Sequence, residues 1–346
     1  MIFGDSARIK KCVIHKVGNK LEDDLVISKE LMTVSDEVES MLIHYIFNGF
    51  KAKEYYNLYA EDDLMENNVY SAVASIFDNN DTFYDQSVAL ARYLYSVSEM
   101  PKVKSGRLLV VHLENCLVDG KSMEGIGLFK IESSVKYMKL SLNDDNYGVE
   151  FDEGIALDKM DKGCIIFNSE REKGFWVAVS ESIRKTADAE YWIDMFLNAQ
   201  QREDEYFQTQ NVMALCKSFV TEHLPEEFEV TKADQASILS KSVQFFKEND
   251  TFDMDSFAQE IMPDSQIIES FKTYKDAFEQ ETEMKIEDNF EISETAVKKQ
   301  SKNFKSVIKL DKNFHVYVHG DTKFIEKGFD DGVNMNYYRL YFNDEE

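Results

Sequence analysis

Short apolar segments, divided by residues typical of turns, follow one another between Gly106 and Val179. The dividing stretches include Val118-Asp119-Gly120 and Asn143-Asp144-Asp145-Asn146, which favour tight turns. Parallel strands need about a dozen crossover residues with a helical pattern between them, and most of these gaps are shorter. The pattern therefore predicts an antiparallel meander. Its strands are expected at residues 108–113, 126–131, 137–142, 164–167 and 175–179.

One strand and two helices are predicted ahead of this meander. Residues 7–17 alternate in polarity, which places Val13 and Val17 on one face of a strand. Ser35 is expected to cap a helix whose apolar residues keep helical spacing, and a second helix is expected after Asp81. The N-terminal half is thus predicted to be an antiparallel sheet with helices.

The apolar spacing becomes helical again after Thr186, and strands return near the C-terminal end. Thr231 and Asp234 have the spacing of a capping box, which marks the start of a helix. The last strands are expected at residues 304–310, 314–318 and 337–342. The C-terminal half is thus predicted to be a helical region plus a small antiparallel sheet, and the fold class to be α+β.

A chain of 346 residues is long enough to bury more than one large core. Two domains are therefore predicted. Residues 1–185 are expected to form the α+β domain with the antiparallel meander, and residues 186–346 an acidic helical region followed by the small terminal β-sheet. One large domain with excursions is the competing interpretation.

Composition predicts a folded chain without a membrane-spanning segment. Hydrophobic residues make up 43% and aromatic residues 13%, which is too much apolar surface for a disordered acidic chain. No run of 18 apolar residues is present, and residues 1–11 lack the apolar stretch of a secretory signal, so we expect no membrane contact and a cytoplasmic location. Cys12, Cys116, Cys164 and Cys216 are scattered in apolar segments and are expected to be reduced and buried.

Positive charge is concentrated in two places of an acidic chain. The balance of 39 basic to 65 acidic residues gives a net charge of -26, which repels a polyanion unless the cations share one face. The first twenty residues hold Asp5 as their single acid, and residues 298–312 carry six lysines with Asp311 as their single acid. The residues predicted to contact DNA are Arg8, Lys10, Lys11 and Lys16, the N-terminal basic group, and Lys298, Lys299, Lys302, Lys305 and Lys309, the C-terminal basic group.

The C-terminal basic group is suited to phosphate rather than base contacts. Lys305 and Lys309 have even spacing within a predicted strand and therefore share one face. Ammonium groups are point charges, and on a flat surface they contact phosphates without reading sequence. The alternative is that both basic groups are solvated surfaces that offset neighbouring carboxylates. Composition leaves these two interpretations open.

The sequence offers no constellation of catalytic or metal-binding residues. The phosphate loop G-x-x-x-x-G-K-[ST], the zinc helix H-E-x-x-H and the nucleophile elbow G-x-S-x-G are absent. Gly125-Ile126-Gly127 enters a strand rather than a helix, and His315 and His319 share a strand face without a third ligand. We therefore predict a protein that is not an enzyme and binds no metal or cofactor. A hydrolase would require converging carboxylates or a metal in a pocket.

Several short segments occur in an order and at separations that resemble a known family. They are His15-Lys16-Val17-Gly18-Asn19, Ala91-Arg92-Tyr93-Leu94-Tyr95, Gly127-Leu128-Phe129-Lys130-Ile131-Glu132, Tyr191-Trp192 with Phe196-Leu197, and Phe304-Lys305-Ser306 with Leu310-Asp311. With the chain length, they resemble the bacterial 37-kilodalton nucleoid-associated protein family over nearly the whole chain. The resemblance implies a cytoplasmic protein found with the bacterial chromosome, with no established catalytic site to transfer.

Two functions follow as hypotheses. The first is a non-enzymatic, nucleoid-associated protein that contacts chromosomal DNA weakly and without sequence preference through the two basic groups. Contact with about four to six phosphates gives a slope of log K against log salt of roughly -4 to -5. The alternative is an adaptor whose acidic surface binds a basic DNA-processing protein, since residues 222–291 contain 19 acids against six lysines.

Overall fold

The computed structural model divides the chain into two compact units. The described residues are 2–4, 6–48, 54–118, 120–143, 146–180, 190–304, 307–310, 313–317 and 324–344. Unit 1 spans Met1–Arg202, and unit 2 spans Glu203–Glu346. The predicted domain boundary between residues 185 and 186 lies outside the described residues.

Unit 1 contains a large antiparallel sheet and a separate two-stranded hairpin. Its strands are β1 (Ile2–Phe3), β2 (Arg8–Val17), β3 (Leu25–Val26), β4 (Tyr55–Leu58), β5 (Gly106–Val118), β6 (Lys121–Ile131), β7 (Val135–Asn143), β8 (Asn146–Gly154), β9 (Lys162–Phe167), β10 (Trp176–Val179) and β11 (Ala199–Gln201). Its α-helices are α1 (Asp36–Asn48), α2 (Asn68–Asp78) and α3 (Phe83–Ser96). Short 3₁₀ turns lie at Lys20–Glu22, Leu64–Glu66, Asn80–Thr82 and Arg171–Lys173, and a π-helix at Glu190–Leu197.

The strand order of the main sheet is β11-β4-β10-β9-β6-β5-β2-β3, and β1 pairs with the C-terminal end of β5. The strands β5, β6, β9 and β10 lie side by side in chain order, with β7 and β8 between β6 and β9 in the sequence, so a meander is present at the centre of the sheet. The strand predicted at residues 137–142 exists as β7, but its place in the meander is wrong. It pairs with β8 in a separate hairpin, which leaves the sheet after β6 and returns at β9.

The main sheet is buried on both faces, which explains why its central strands are apolar at most positions. One face carries Val13 and Leu108 and packs against α2 and α3. The other carries Leu109 and Val111 and packs against α1. Full burial of one such side chain contributes roughly 1.5–3 kcal/mol. The sheet is therefore a rigid support that fixes the positions of the polar residues around it.

Unit 2 is mainly helical. Its α-helices are α4 (Glu205–Ser218), α5 (Leu224–Glu227), α6 (Lys232–Glu248), α7 (Met254–Ile261), α8 (Ser265–Thr282) and α9 (Glu294–Gln300), with a π-helix at Phe219–His223 and a 3₁₀ turn at Ser301–Asn303. Its strands are β12 (Thr251–Asp253), β13 (Asn289–Glu291), β14 (Val307–Leu310), β15 (Phe314–Tyr317), β16 (Ile325–Asp330) and β17 (Met335–Leu340). They pair antiparallel as β12 with β13, β14 with β15 and β16 with β17.

Aromatic rings fill the core of unit 2. The rings of Phe246 and Phe252 stack with their centroids 5.6 Å apart, and Phe245 packs edge to face against Phe257 with a centroid distance of 5.2 Å. Such pairs add about 0.5–1.5 kcal/mol to the burial of their area. This core fixes α6 and α7, and α9 joins it through Val297.

The predicted α+β class is confirmed, and so are several local signals. Ser35 Oγ accepts a hydrogen bond from an amide of the first turn of α1, and Thr231 with Asp234 forms the predicted capping box of α6. The four cysteines are buried and free, as predicted, and burial raises the pKa of Cys116 and Cys216 to about 12. Across the described ranges, no helix is both long and apolar enough to cross a membrane.

Candidate nucleic-acid interface

Arg8, at the start of β2, is bound by a carboxylate of α1. Its Nε and Nη2 donate to Glu39 Oε1 and Oε2 at 3.0 and 2.9 Å, and the Ile9 N–H donates to Glu39 Oε1 at 2.7 Å. The Ile9 amide, followed by Arg8, holds the pKa of Glu39 below its usual range, although burial opposes this. The guanidinium of Arg8 is therefore already in a bidentate ion pair of the kind that a phosphate would offer.

Lys10 and Lys16, further along β2, also meet acids. Lys10 Nζ lies 2.7 Å from Glu114 Oε1 on the neighbouring strand β5, and Lys16 Nζ lies 2.5 Å from Asp24 Oδ1. The hydrogen bond from each lysine is the main cause that lowers the pKa of its carboxyl partner. The charges of these two lysines are therefore balanced by carboxylates within unit 1.

Lys11 completes the N-terminal basic group and is paired more loosely. Its Nζ donates to the Asn80 carbonyl at 2.7 Å and lies 3.9 Å from Asp81 Oδ1. Lys20, close by in sequence, forms an ion pair with Glu99. Each member of the N-terminal basic group thus has a carboxylate within 4.0 Å. Opposite charges nearly cancel there, so these cations do not by themselves produce an electropositive surface.

The C-terminal basic group begins on α9, which the core of unit 2 fixes in place. Ala296 and Val297 are buried, and the Ser293 N–H at the start of the helix donates to Thr209 Oγ1 of α4 at 3.0 Å. With this side of α9 against the core, the helix presents its remaining residues to solvent. Lys298, one residue after the buried pair, is among them.

Lys298 and Lys302 are exposed and, within the described part of the chain, form no ion pair. They are four residues apart, on α9 and the 3₁₀ turn that continues it, so they point to similar sides. Between them, Lys299 Nζ lies 5.8 Å from the ring centroid of Tyr206, within cation–π range. Cations in the last turn also favour the helix dipole by about 0.3–1 kcal/mol. This interaction leaves the charge of Lys298 available to an anion.

The remaining members of the C-terminal basic group follow this stretch. Lys305 lies outside the described residues. The backbone of Lys309 belongs to β14, where its register partner on β15 is His315, and the Lys309 side chain lies outside the described part. The structure therefore brings Lys298, Lys299 and Lys302 together on one short segment of unit 2.

The acidic surplus of unit 2 is displayed along α8. Its Lys272 forms an ion pair with Asp255, and Lys275 Nζ lies 2.6 Å from Asp288 Oδ1. The exposed acids of α8 for which the described residues provide no ion pair include Glu269, Asp276 and Glu281. These carboxylates leave uncompensated negative charge at separate places on the surface of α8.

The described residues provide no metal-binding group beside these surfaces. A cleft of about 680 Å³ beside α1 is lined by Arg8, Glu39 and His44, but the carboxylate there already accepts hydrogen bonds from Arg8. No group of three or more His, Cys, Asp or Glu side chains in the described ranges can hold a metal ion. His315 lies in β15, and His319 lies outside the described residues.

Sequence reasoning missed a buried charged cluster between β6 and β9. Lys130 is fully buried, and its cross-strand neighbour Lys162 is nearly so. Glu132 Oε2 accepts from Lys162 Nζ at 2.7 Å, and its Oε1 lies 3.5 Å from Lys130 Nζ. Lys130 also donates to the Tyr191 hydroxyl at 3.2 Å. The signal was a lysine inside an apolar strand, a residue type that is almost never buried unless it is paired.

Comparison with known protein families gives a match that covers most of the chain. The model of the family NA37, described as nucleoid-associated protein YejK, matches residues 13–336. The matched range includes α9 and the 3₁₀ turn that carry Lys298, Lys299 and Lys302. No curated protein matches the chain.

Proposed function

The chain belongs to the family of the nucleoid-associated protein YejK, and we propose that it contacts nucleoid DNA weakly and without sequence preference through the C-terminal basic group. The observation that carries this proposal is the exposure of Lys298 and Lys302 without an ion pair in the described residues. Their ammonium groups are free to approach phosphates, and point charges of this kind hold the backbone without reading base edges.

The N-terminal basic group has a different role in this proposal. Arg8, Lys10, Lys11 and Lys16 stabilise unit 1 through their carboxylate partners. To contact DNA, each would have to exchange an existing ion pair for a phosphate. The net gain of such an exchange is small, because the attraction that is lost resembles the one that is formed.

The proposed protein is non-enzymatic and acts in the cytoplasm, at the nucleoid of a bacterium. The family description supports the nucleoid part of this proposal. The lack of a catalytic constellation in the sequence is the basis of its non-catalytic part. Chromosomal DNA is the proposed partner, and neither a metal nor a cofactor is required.

Fluorescence anisotropy with a short labelled duplex, measured from low to physiological salt, tests the proposal. Five phosphate contacts by the C-terminal basic group predict a slope of log K against log salt of about -4.5. If all nine candidate cations made contacts, the slope would be about -8. Absence of binding at low salt would reject direct DNA contact.

Two charge-reversal variants locate the contact. The test variant combines Lys298→Glu, Lys299→Glu and Lys302→Glu. The control variant combines Lys241→Glu, Lys247→Glu and Lys285→Glu, three exposed lysines of the same unit. We expect the test variant to bind about a hundredfold more weakly or worse at low salt, and the control to change far less. Equal weakening in both would show that net charge, rather than this surface, sets the affinity.

The exposed carboxylates of α8 support a second candidate function, an adaptor for a basic DNA-processing protein. Exposed carboxylates such as Glu269, Asp276 and Glu281 would speed and orient the encounter with such a partner. This function predicts that a basic protein co-purifies with the chain and is lost when these three residues are changed to Gln or Asn. It also predicts no DNA binding by the isolated chain. A crosslinked pull-down that contains DNA but no such protein would contradict it.

A further inference from the structure

The β7–β8 hairpin exposes an apolar face that no part of the described structure covers. The paired residues on this face are Met138 with Phe151, Leu140 with Val149, and Leu142 with Tyr147. These six side chains are each 59–79% exposed to solvent. An exposed contiguous apolar surface of this kind marks an interaction site.

The opposite face of the same hairpin is more polar. It carries Lys139 opposite Glu150, Ser141 opposite Gly148 and Asp152 opposite Tyr137. The alternation is therefore that of an ordinary sheet with one buried and one solvated face, although none of the described residues covers the apolar face. A two-stranded hairpin alone is only marginally stable in water. The apolar face of the hairpin therefore requires a packing partner.

The hairpin is held firmly at its base, where it leaves the main sheet. The N–H groups of Glu132 and Ser133 donate to Asp161 Oδ2 at 2.8 and 2.7 Å, and the Ser133 hydroxyl donates to Asp161 Oδ1 at 2.7 Å. These bonds join the residues that enter the hairpin to the residue just before β9. The ribbon is therefore presented from a rigid support.

We propose that the apolar face of the β7–β8 hairpin packs against the same face of a second copy of this chain and forms a twofold dimer. The face carries no charge among its six central residues, so it is compatible with itself across a twofold axis. Aromatic side chains have about 150–250 Å² of surface and aliphatic ones less, so six at this exposure offer roughly 700–800 Å². Two copies would bury about 1,500 Å², which is the area of a standard stable interface.

This dimer is independent of the proposed DNA contact, and salt separates the two. Each copy has a net charge of -26, so the copies repel one another at low salt. Screening reduces that repulsion and leaves apolar packing intact. Raising the salt concentration therefore strengthens the dimer, whereas it weakens DNA binding.

Sedimentation velocity of the full chain tests the dimer with a matched pair of variants. Leu140→Glu places a charge at the centre of the apolar face, and Ser141→Glu places the same charge one residue along, on the polar face. The wild-type chain and Ser141→Glu are expected to be dimers. Leu140→Glu is expected to raise the dimer dissociation constant at least about a hundredfold, because an unpaired charge would be buried.

Disulfide formation gives a second measurement that does not depend on a loss of association. The four native cysteines are buried, so an introduced surface cysteine reports alone. Leu140 is in the central pair of the face, near the expected twofold axis, so Leu140→Cys should form a covalent dimer on mild oxidation with diamide. Ser141→Cys should not.

Three results would overturn the dimer. The first is a wild-type chain that stays monomeric at physiological salt, and the second is a dimer that Leu140→Glu and Ser141→Glu affect equally. The third is a monomer that binds phosphatidylcholine–phosphatidylglycerol vesicles through Leu140, which would assign the face to a lipid surface.

Discussion

Arg8 on β2 and Lys298 on α9 both belong to cation-rich runs, yet their surroundings differ. Arg8 is held by Glu39 of α1 through hydrogen bonds of 2.9 and 3.0 Å. Lys298 lies on the solvent side of a helix anchored by Ala296 and Val297, and the described residues offer it no ion pair. A run of cations therefore becomes a positive surface only where the fold brings no acids to it.

The kind of element explains the difference. A strand inside a sheet has neighbours at both edges and on both faces, and β2 lies between β3 and β5 with helices packed on each side. Acids from these neighbours reach its cations. The short helix α9 is packed on one side only, and the next residues continue along the surface as a 3₁₀ turn.

Replacing Glu132 by Gln should have the largest effect, because it acts on a deeply buried lysine pairing of unit 1. The change would remove the carboxylate that binds Lys162 and lies beside Lys130. Loss of one partner of a buried ion pair costs about 3–5 kcal/mol. Urea unfolding monitored by tryptophan fluorescence measures this loss of stability in unit 1, since both tryptophans, Trp176 and Trp192, lie there.

Glu99→Gln is the matched control in the same unit. Glu99 pairs with Lys20 at the surface, where both side chains are substantially exposed. Exposed pairs contribute about 0–1 kcal/mol, so the unfolding midpoint should hardly move. Equal losses for Glu132→Gln and Glu99→Gln would show that burial does not distinguish the two pairings.

Charge reversal at Lys298, Lys299 and Lys302 should have the next largest effect, on DNA affinity rather than on stability. Loss of three phosphate contacts should make the slope of log K against log salt less steep by about 2.7. Anisotropy titrations over a range of salt concentrations measure this change. If the slope keeps its wild-type value, the affinity change does not come from lost phosphate contacts.

Glu39→Gln should reduce the stability of unit 1 by about 1.5–3 kcal/mol at neutral pH, the usual contribution of hydrogen bonds to a charged group. The folded pKa of Glu39 is depressed, so its carboxylate stabilises the fold above the unfolded pKa of about 4.3 and loses this contribution as the pH falls through the folded value. The difference between wild type and variant should therefore shrink below about pH 4. Urea unfolding at several pH values checks this, and a difference that does not depend on pH would contradict the ion pair with Arg8.

The smallest effect is expected when the N-terminal basic group is released from its partners. The double variant Glu39→Gln/Glu114→Gln leaves Arg8 and Lys10 without their carboxylates, so DNA affinity at low salt should rise by about two- to tenfold. The control is Glu61→Gln/Asp62→Asn, which removes two exposed acids of the same unit. Equal gains in both would mean that net charge alone is responsible.

Much of the main sheet could be predicted because its strands carry their own signal. The apolar runs of β5 and β6 are long enough to identify, and turn residues mark their ends. The strands β4 and β11, at one end of the sheet, have only four and three residues, too few for a period to appear. In β8, Glu150 and Asp152 alternate with apolar residues, which is the period of a strand. The turn-forming and acidic residues of this segment made that period hard to recognise in the sequence.

The candidate site could be predicted only in part. Lysine density identified Lys298, Lys299 and Lys302 before any fold was known. The same reasoning selected Arg8 and Lys10, which the structure pairs with acids from α1 and β5. Density along the chain does not report which carboxylates arrive from distant segments.

The sequence by itself determined where cations and apolar residues concentrate, the α+β class and the central meander, because these depend on local order and on polarity periods of two and 3.6 residues. Only the tertiary structure decided that Glu39 reaches Arg8 and that Glu132 lies between two buried lysines. It also left one face of the β7–β8 hairpin uncovered. The physical reason is that charge pairing and burial depend on distances through space, which are fixed only when remote segments pack together.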